Sequence, residues 1–143
     1  RHASGHFGRA RLTQNFSAVT GACLLIRKKL FVAIGMFDED NLPVAFNDVD
    51  LCLRIRKAGF LNVYCPEAEL YHHESLSRGA EDNPEKRARY SREVRFMQSK
   101  WRSDLESDPY YNPNLSLESP NFFLEKRLVD SPHHGYPLQI TNS

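Results

Sequence analysis

Residues 45–73 read Ala45-Phe-Asn-Asp-Val-Asp-Leu-Cys-Leu-Arg54, then Ile55-Arg-Lys-Ala-Gly59-Phe60, then Leu61-Asn-Val-Tyr-Cys65-Pro-Glu-Ala-Glu-Leu70-Tyr-His-His73. Two acids open this run, and either Asn47 or Asp48 is a good N-cap for a helix. Acids are favoured in a first helical turn and the cations Arg54, Arg56 and Lys57 in a last one. Val49, Cys52, Leu53 and Ile55 supply an apolar face, and Asp50 and Arg54 are spaced for an i,i+4 pair. Gly59 closes the helix. Short strands are expected over 60–64 and 68–71, separated by Pro66. His72 and His73 follow at a strand end, where adjacent side chains point to opposite faces, so at most one of them enters a given site. Helix, turn and returning strands can bring Asp48 and a histidine to one sheet edge, and this makes the chain α/β.

Upstream, residues 18–26 read as a buried strand, in which Gly21 marks a bulge or a close approach to the backbone. A short helix over 27–34 ends at Gly35, and Asp38, Glu39, Asp40 and Asn41 form a turn before Pro43. Residues 1–16, with Gly5, Gly8, Arg1, Arg9 and Arg11, read as an ordered loop or an extended lead-in, with a flexible tail as the alternative. Downstream, residues 74–83 are a polar loop with Gly79, and Asn83 with Pro84 is a helix start. The helix from Pro84 to about Leu105 is the clearest periodic signal, with Tyr90, Val94, Met97, Trp101 and Leu105 as the expected buried stripe. Its reverse face carries Lys86, Arg87, Arg89, Arg92, Arg95, Lys100 and Arg102. Residues 1–124 are expected to form one domain and 125–143 an irregular tail.

At 143 residues the chain is long enough for a real core, and its formal charge of +1 gives no global attraction to nucleic acid or membrane. Cys23, Cys52 and Cys65 are odd in number and lack C-x-x-C spacing, so they read as buried thiols in a reducing compartment. No apolar run is long enough to span a bilayer. The chain starts at Arg1 without an initiator methionine, which predicts a piece of a longer chain. Asp48 alone is often only a cap, and a histidine pair is often only exposed loop. Zinc on Cys52, Cys65, His72 and His73 is disfavoured by the spacing. Asp38-Glu-Asp40 and Asp48-Val-Asp50 match a bare D-x-D, but neither follows a long apolar strand.

In order, Val19-Thr-Gly-Ala-Cys-Leu-Leu-Ile-Arg27, Gly35-Met-Phe-Asp-Glu39, Leu42-Pro-Val-Ala-Phe-Asn-Asp-Val-Asp-Leu-Cys-Leu-Arg54, Ala68-Glu-Leu-Tyr-His-His-Glu-Ser75, Ser77-Arg-Gly79 and Asp108-Pro-Tyr-Tyr-Asn-Pro-Asn-Leu115 resemble the C-terminal half of a family 2 glycosyltransferase. Bacterial rhamnosyltransferase-like and O-antigen-type members are the nearest in kind. The resemblance implies the C-terminal part of a GT-A (Rossmann-like) domain, with short mixed strands packed on helices. It implies that Asp48 is the general base of an inverting transfer, His72 a ligand of Mg²⁺ or Mn²⁺, and Arg78 a contact to the donor diphosphate. Thr20, Gly21 and Asn47 would bind substrate. The implied partners are a nucleotide-diphosphate sugar donor and a glycan or lipid-linked acceptor, with no nucleic acid. The implied location is the cytoplasm, with peripheral contact at the inner membrane face. The family's N-terminal half, with its nucleotide-binding βαβ unit and metal-anchoring D-x-D, has no counterpart here. The chain alone is therefore expected to be inactive, with the face left by the missing half available for homodimer formation. The competing readings are a non-catalytic carbohydrate- or partner-binding module that keeps the fold, and a basic-helix binder of nucleic acid or membrane surface.

Overall fold

The computed structural model describes residues 5–71 and 83–116. The chain divides into two compact units, Arg1–Asn112 and Pro113–Ser143, and every element named below belongs to the first. An irregular 3-10 segment, His6–Arg11, leads into strand β1, Gln14–Phe16, and a single 3-10 turn follows at Gly21–Cys23. Helix α1 spans Lys28–Ala33, α2 Asn47–Lys57, β2 Asn62–Tyr64 and α3 Pro84–Glu106. The architecture is mixed α/β.

The strands pair antiparallel, with Gln14 opposite Tyr64, Asn15 opposite Val63 and Phe16 opposite Asn62. The Phe16 and Tyr64 rings meet edge to face at 5.9 Å, a diagonal contact across the ladder. Asn62 is buried and donates to the carbonyls of Ser17, at 2.9 Å, and Cys52, at 3.0 Å, tying the ladder to α2.

Helix α2 is central. Asp50, Leu51, Cys52 and Leu53 are consecutive and all buried, so the helix is covered around its circumference rather than on one stripe. Leu53 joins Leu42, Met97 and Trp101 in the core, flanked by Phe46, Val49 and Phe96. Both α1 and α2 end as the sequence predicts. Gly35 and Gly59 hold φ of +88° and +85°, and the amides of Met36 and Phe60 return to the carbonyls of Phe31 and Ile55. Asn83 caps α3, its side chain accepting from the Lys86 amide at 2.8 Å, with Pro84 in the first turn.

Several expectations are corrected. Residues 18–26 are not a buried strand. The Thr20 hydroxyl accepts the Ala22 amide at 3.2 Å, which folds a 3-10 turn in place of a ladder. Leu24 beyond it is extended, and Leu25 is fully exposed. Residues 68–71 form no strand either, because the Ala68 and Glu69 amides are used locally on Cys65 and Glu67 after Pro66. Neither Asn47 nor Asp48 caps α2. That position belongs to Phe46, in the left-handed conformation at φ 61° and without a side-chain cap. In α3, Trp101 leaves helical geometry at φ −121°, which turns Leu105 out of the stripe to 43% exposure. Tyr90 is 45% exposed, and Glu93 is buried beside Met97 and Trp101. All three cysteines are free, but only Cys52 is buried. The expected domain boundary at 124/125 lies outside the described residues.

Candidate functional site

Asp48 sits in the first turn of α2, half-buried, with its carboxylate directed at the turn that replaced the expected strand. Its Oδ2 accepts the Gly21 amide at 2.8 Å and its Oδ1 the Val49 amide at 2.9 Å. Gly21 is exposed and has no side chain to block this approach. A Cβ there would stand 3.1 Å from Asp48 Cβ and 3.4 Å from Oδ2. A carboxylate has about four lone-pair positions. Two go to backbone amides, and the rest can face a hydroxyl arriving from the open side. Asn47, the first residue of α2, is half-buried beside it, and Thr20 precedes Gly21 as the cap of the short turn. Of the four expected residues, the structure brings Gly21 and Asp48 into contact, with Thr20 and Asn47 as their chain neighbours. Below them, Cys52 Sγ lies 3.7 Å from the Val19 carbonyl. Burial pushes its thiol up, the Asp48 charge adds to this, and the Val19 contact opposes it.

Asp50, two residues on, has a structural part. It is fully buried and accepts from Arg54 Nε at 2.8 Å, Trp101 Nε1 at 2.7 Å and Lys100 Nζ at 2.8 Å. Burial alone would raise its carboxyl, but the hydrogen bonds from Lys100, Trp101 and Arg54 outweigh burial and hold it below the ordinary aspartate value. Arg54 also donates to the carbonyls of Ile34 and Met36, so the pair expected from spacing fastens α2 to the turn after α1. Lys100 and Arg89, placed by the periodicity on a solvated face, turn inward to Asp50 and Glu93. Asp38 of the first D-x-D match accepts from Asn41 and organises its own turn.

His72, His73 and Arg78 lie outside the described residues. Among the described residues no group of three or more His, Cys, Asp or Glu could hold a metal ion, and no helix is long and apolar enough to cross a membrane. Glu93 is the residue the sequence reading missed. It is 1% exposed, its Oε2 accepts the Ala45 amide at 2.5 Å, and its Oε1 lies 3.3 Å from Arg89 Nε. The signal was present: Glu93 stands four residues before Met97 and eight before Trp101, in register with the buried face.

Residues 1–95 match the family described as glycosyltransferase like family 2. The chain is 56% identical over 121 residues to the uncharacterized protein y4gI of Sinorhizobium fredii, covering 85% of this chain and 13% of that protein. It is 36% identical over 136 residues to the O-antigen biosynthesis protein RfbC of Myxococcus xanthus, covering 94% and 10% respectively. It is also 36% identical over 91 residues to an N-acetylglucosaminyl-diphospho-decaprenol L-rhamnosyltransferase of Mycobacterium tuberculosis, covering 61% and 29%. The chain therefore spans between a tenth and three tenths of the length of these curated relatives. No solved structure matches it.

Proposed function

This chain belongs to glycosyltransferase family 2, and from that premise we propose that it forms the acceptor side of an inverting glycosyltransferase, with Asp48 as general base. The observation that carries the reading is the Asp48 carboxylate, oriented by the Gly21 amide at 2.8 Å beside an exposed glycine. A hydroxyl of the acceptor donates its proton to Asp48 as its oxygen bonds to the anomeric carbon of the donor sugar. The bond from that carbon to the nucleoside diphosphate breaks on the opposite face, and the configuration inverts. A carboxylate fits this role because proton transfer can lag behind attack and finish late. Thr20, Gly21 and Asn47 line the approach to Asp48, and Arg78 meets the donor diphosphate.

A divalent Mg²⁺ or Mn²⁺ would neutralise charge on the departing diphosphate, with His72 as this chain's ligand. The described residues supply no donor set of their own for such an ion. The mycobacterial relative is named for a lipid-diphosphate-linked acceptor and a rhamnosyl transfer. We extend that acceptor class to this chain, with work at the cytoplasmic face of a membrane.

The test is Asp48→Asn in the full-length protein, which keeps the shape and removes the base. Transfer should fall by a factor of 100 or more, on the order of a general base's contribution, while donor affinity stays near wild type. Undiminished turnover would remove Asp48 as the base.

A further inference from the structure

The displacement makes no use of Glu93, yet this buried carboxylate grips the chain where α2 begins. Its Oε2 bonds the Ala45 amide, two residues before Asn47, and one turn earlier on α3 the Tyr90 ring packs on Phe46 at 5.5 Å. Helix α3 therefore holds both residues that feed into α2. Phe46 is left-handed at φ 61°, a state that costs a non-glycine residue about 1–3 kcal/mol and persists only where its surroundings fix it. Its carbonyl accepts the Asp50 amide at 2.9 Å, so the placement of Phe46 sets the first turn of the helix. That turn carries Asp48 to Gly21. A buried carboxylate is a poor choice for packing alone, since an apolar side chain in the same register would fill the space without a desolvation cost. The Ala45 amide supplies the reason for it.

We propose that Glu93 is a positioning residue for the transfer reaction. Through Ala45 and Phe46 it fixes the entry into α2 and so the place of the Asp48 carboxylate against Gly21. This rests on the reading of Asp48 as the base. The experiment is steady-state kinetics on the full-length protein with Glu93→Gln, Glu93→Met and Asp48→Asn, each assayed below its melting temperature. Gln keeps an acceptor oxygen for the Ala45 amide, while Met keeps the volume and removes the acceptor. Glu93→Met should lower kcat by roughly 10- to 100-fold, the scale of an ångström-level misplacement, with KM for donor and acceptor little changed and with Glu93→Gln restoring most of the loss. If Asp48→Asn abolishes transfer but Glu93→Met turns over like the wild type, positioning is overturned and the base stands. If Asp48→Asn is active, the base itself is lost and the proposal with it. Should Glu93→Met fail to fold, Arg89→Met, which strips Oε1 of its guanidinium, decides. A several-fold loss of kcat at unchanged KM supports the role, and wild-type kcat overturns it.

Discussion

Asp48 and Asp50 stand one residue apart on α2 and meet opposite surroundings. Asp48 is half-buried and bonded to backbone amides, with room for a further partner. Asp50 is sealed and held by three side-chain donors. Two predictions follow from the contrast. Gly21→Ala places a methyl 3.1 Å from Asp48 Cβ, so the carboxylate must move. Transfer by the full-length protein should fall roughly 10- to 100-fold, with the melting temperature nearly unchanged, as steady-state rates and a thermal scan would show. Asp50→Ala leaves Lys100 and Arg54 without their shared carboxylate and should cost about 3–5 kcal/mol in urea denaturation. The pH dependence follows from the same bonds. Because folding lowers the Asp50 value, its contribution is full above the ordinary 3.8 and is lost as the pH falls through the lower folded value. Chemical denaturation at successive pH values below 4 should show a steeper loss for the wild type than for Asp50→Asn. Burial also separates the thiols. Cys23 and Cys65 are exposed, whereas Cys52 is buried with its thiol pushed up. Mass spectrometry after brief alkylation of the native chain should find Cys23 and Cys65 modified and Cys52 spared.

At the scale of elements, the helices were legible and the strands only in part: β2 falls within the strand expected over 60–64, whereas 18–26 and 68–71 form none. A helix satisfies its backbone within itself, so caps and periodicity suffice to locate it. Asn83 and Pro84 start α3, and Gly35 and Gly59 end α1 and α2, as their chemistry dictates. Asn83→Ala should cost about 1 kcal/mol, the ordinary value of a lost cap, measurable as a shift in the urea midpoint. A strand needs a partner that its own sequence does not name. Residues 18–26 have the apolar composition of a strand, but the Thr20 hydroxyl offers the Ala22 amide a local alternative, and among the described strands Gln14–Phe16 pairs with Asn62–Tyr64. Leu42, which follows an acidic turn and precedes Pro43, shows no periodicity at all, yet it is completely buried among Leu53, Met97 and Trp101. Leu42→Ala should therefore cost about 2–5 kcal/mol, more than the truncation of exposed Leu105.

At the scale of the whole molecule, the unit Arg1–Asn112 carries an apolar groove of about 1420 Å³, lined among others by Leu24, Ile26, Leu30, Leu61 and Val63. Leu25, Leu61, Val63, Leu70 and Tyr71 are all more than half exposed. The isolated chain should bind an apolar fluorescent dye and self-associate, and Leu25→Lys with Val63→Lys should reduce both in a titration and in light scattering. What the sequence by itself determined were the features carried by neighbours along the chain: the described helices α1, α2 and α3, the glycine ends of the first two and the Asp50–Arg54 pair, while the family resemblance named Asp48 and Gly21 for one site. Only the tertiary structure decided that Gly21 donates to Asp48, that Phe46 and not an acid stands at the helix cap, and that Glu93, Lys100 and Trp101 reach back from α3 to hold α2. These contacts join residues 27 to 51 positions apart. Local pattern records which side chains are suited to burial or to hydrogen bonding. Which of them meet is set by the packing of α3 across α2, because a buried donor or acceptor must find its partner wherever the fold places one.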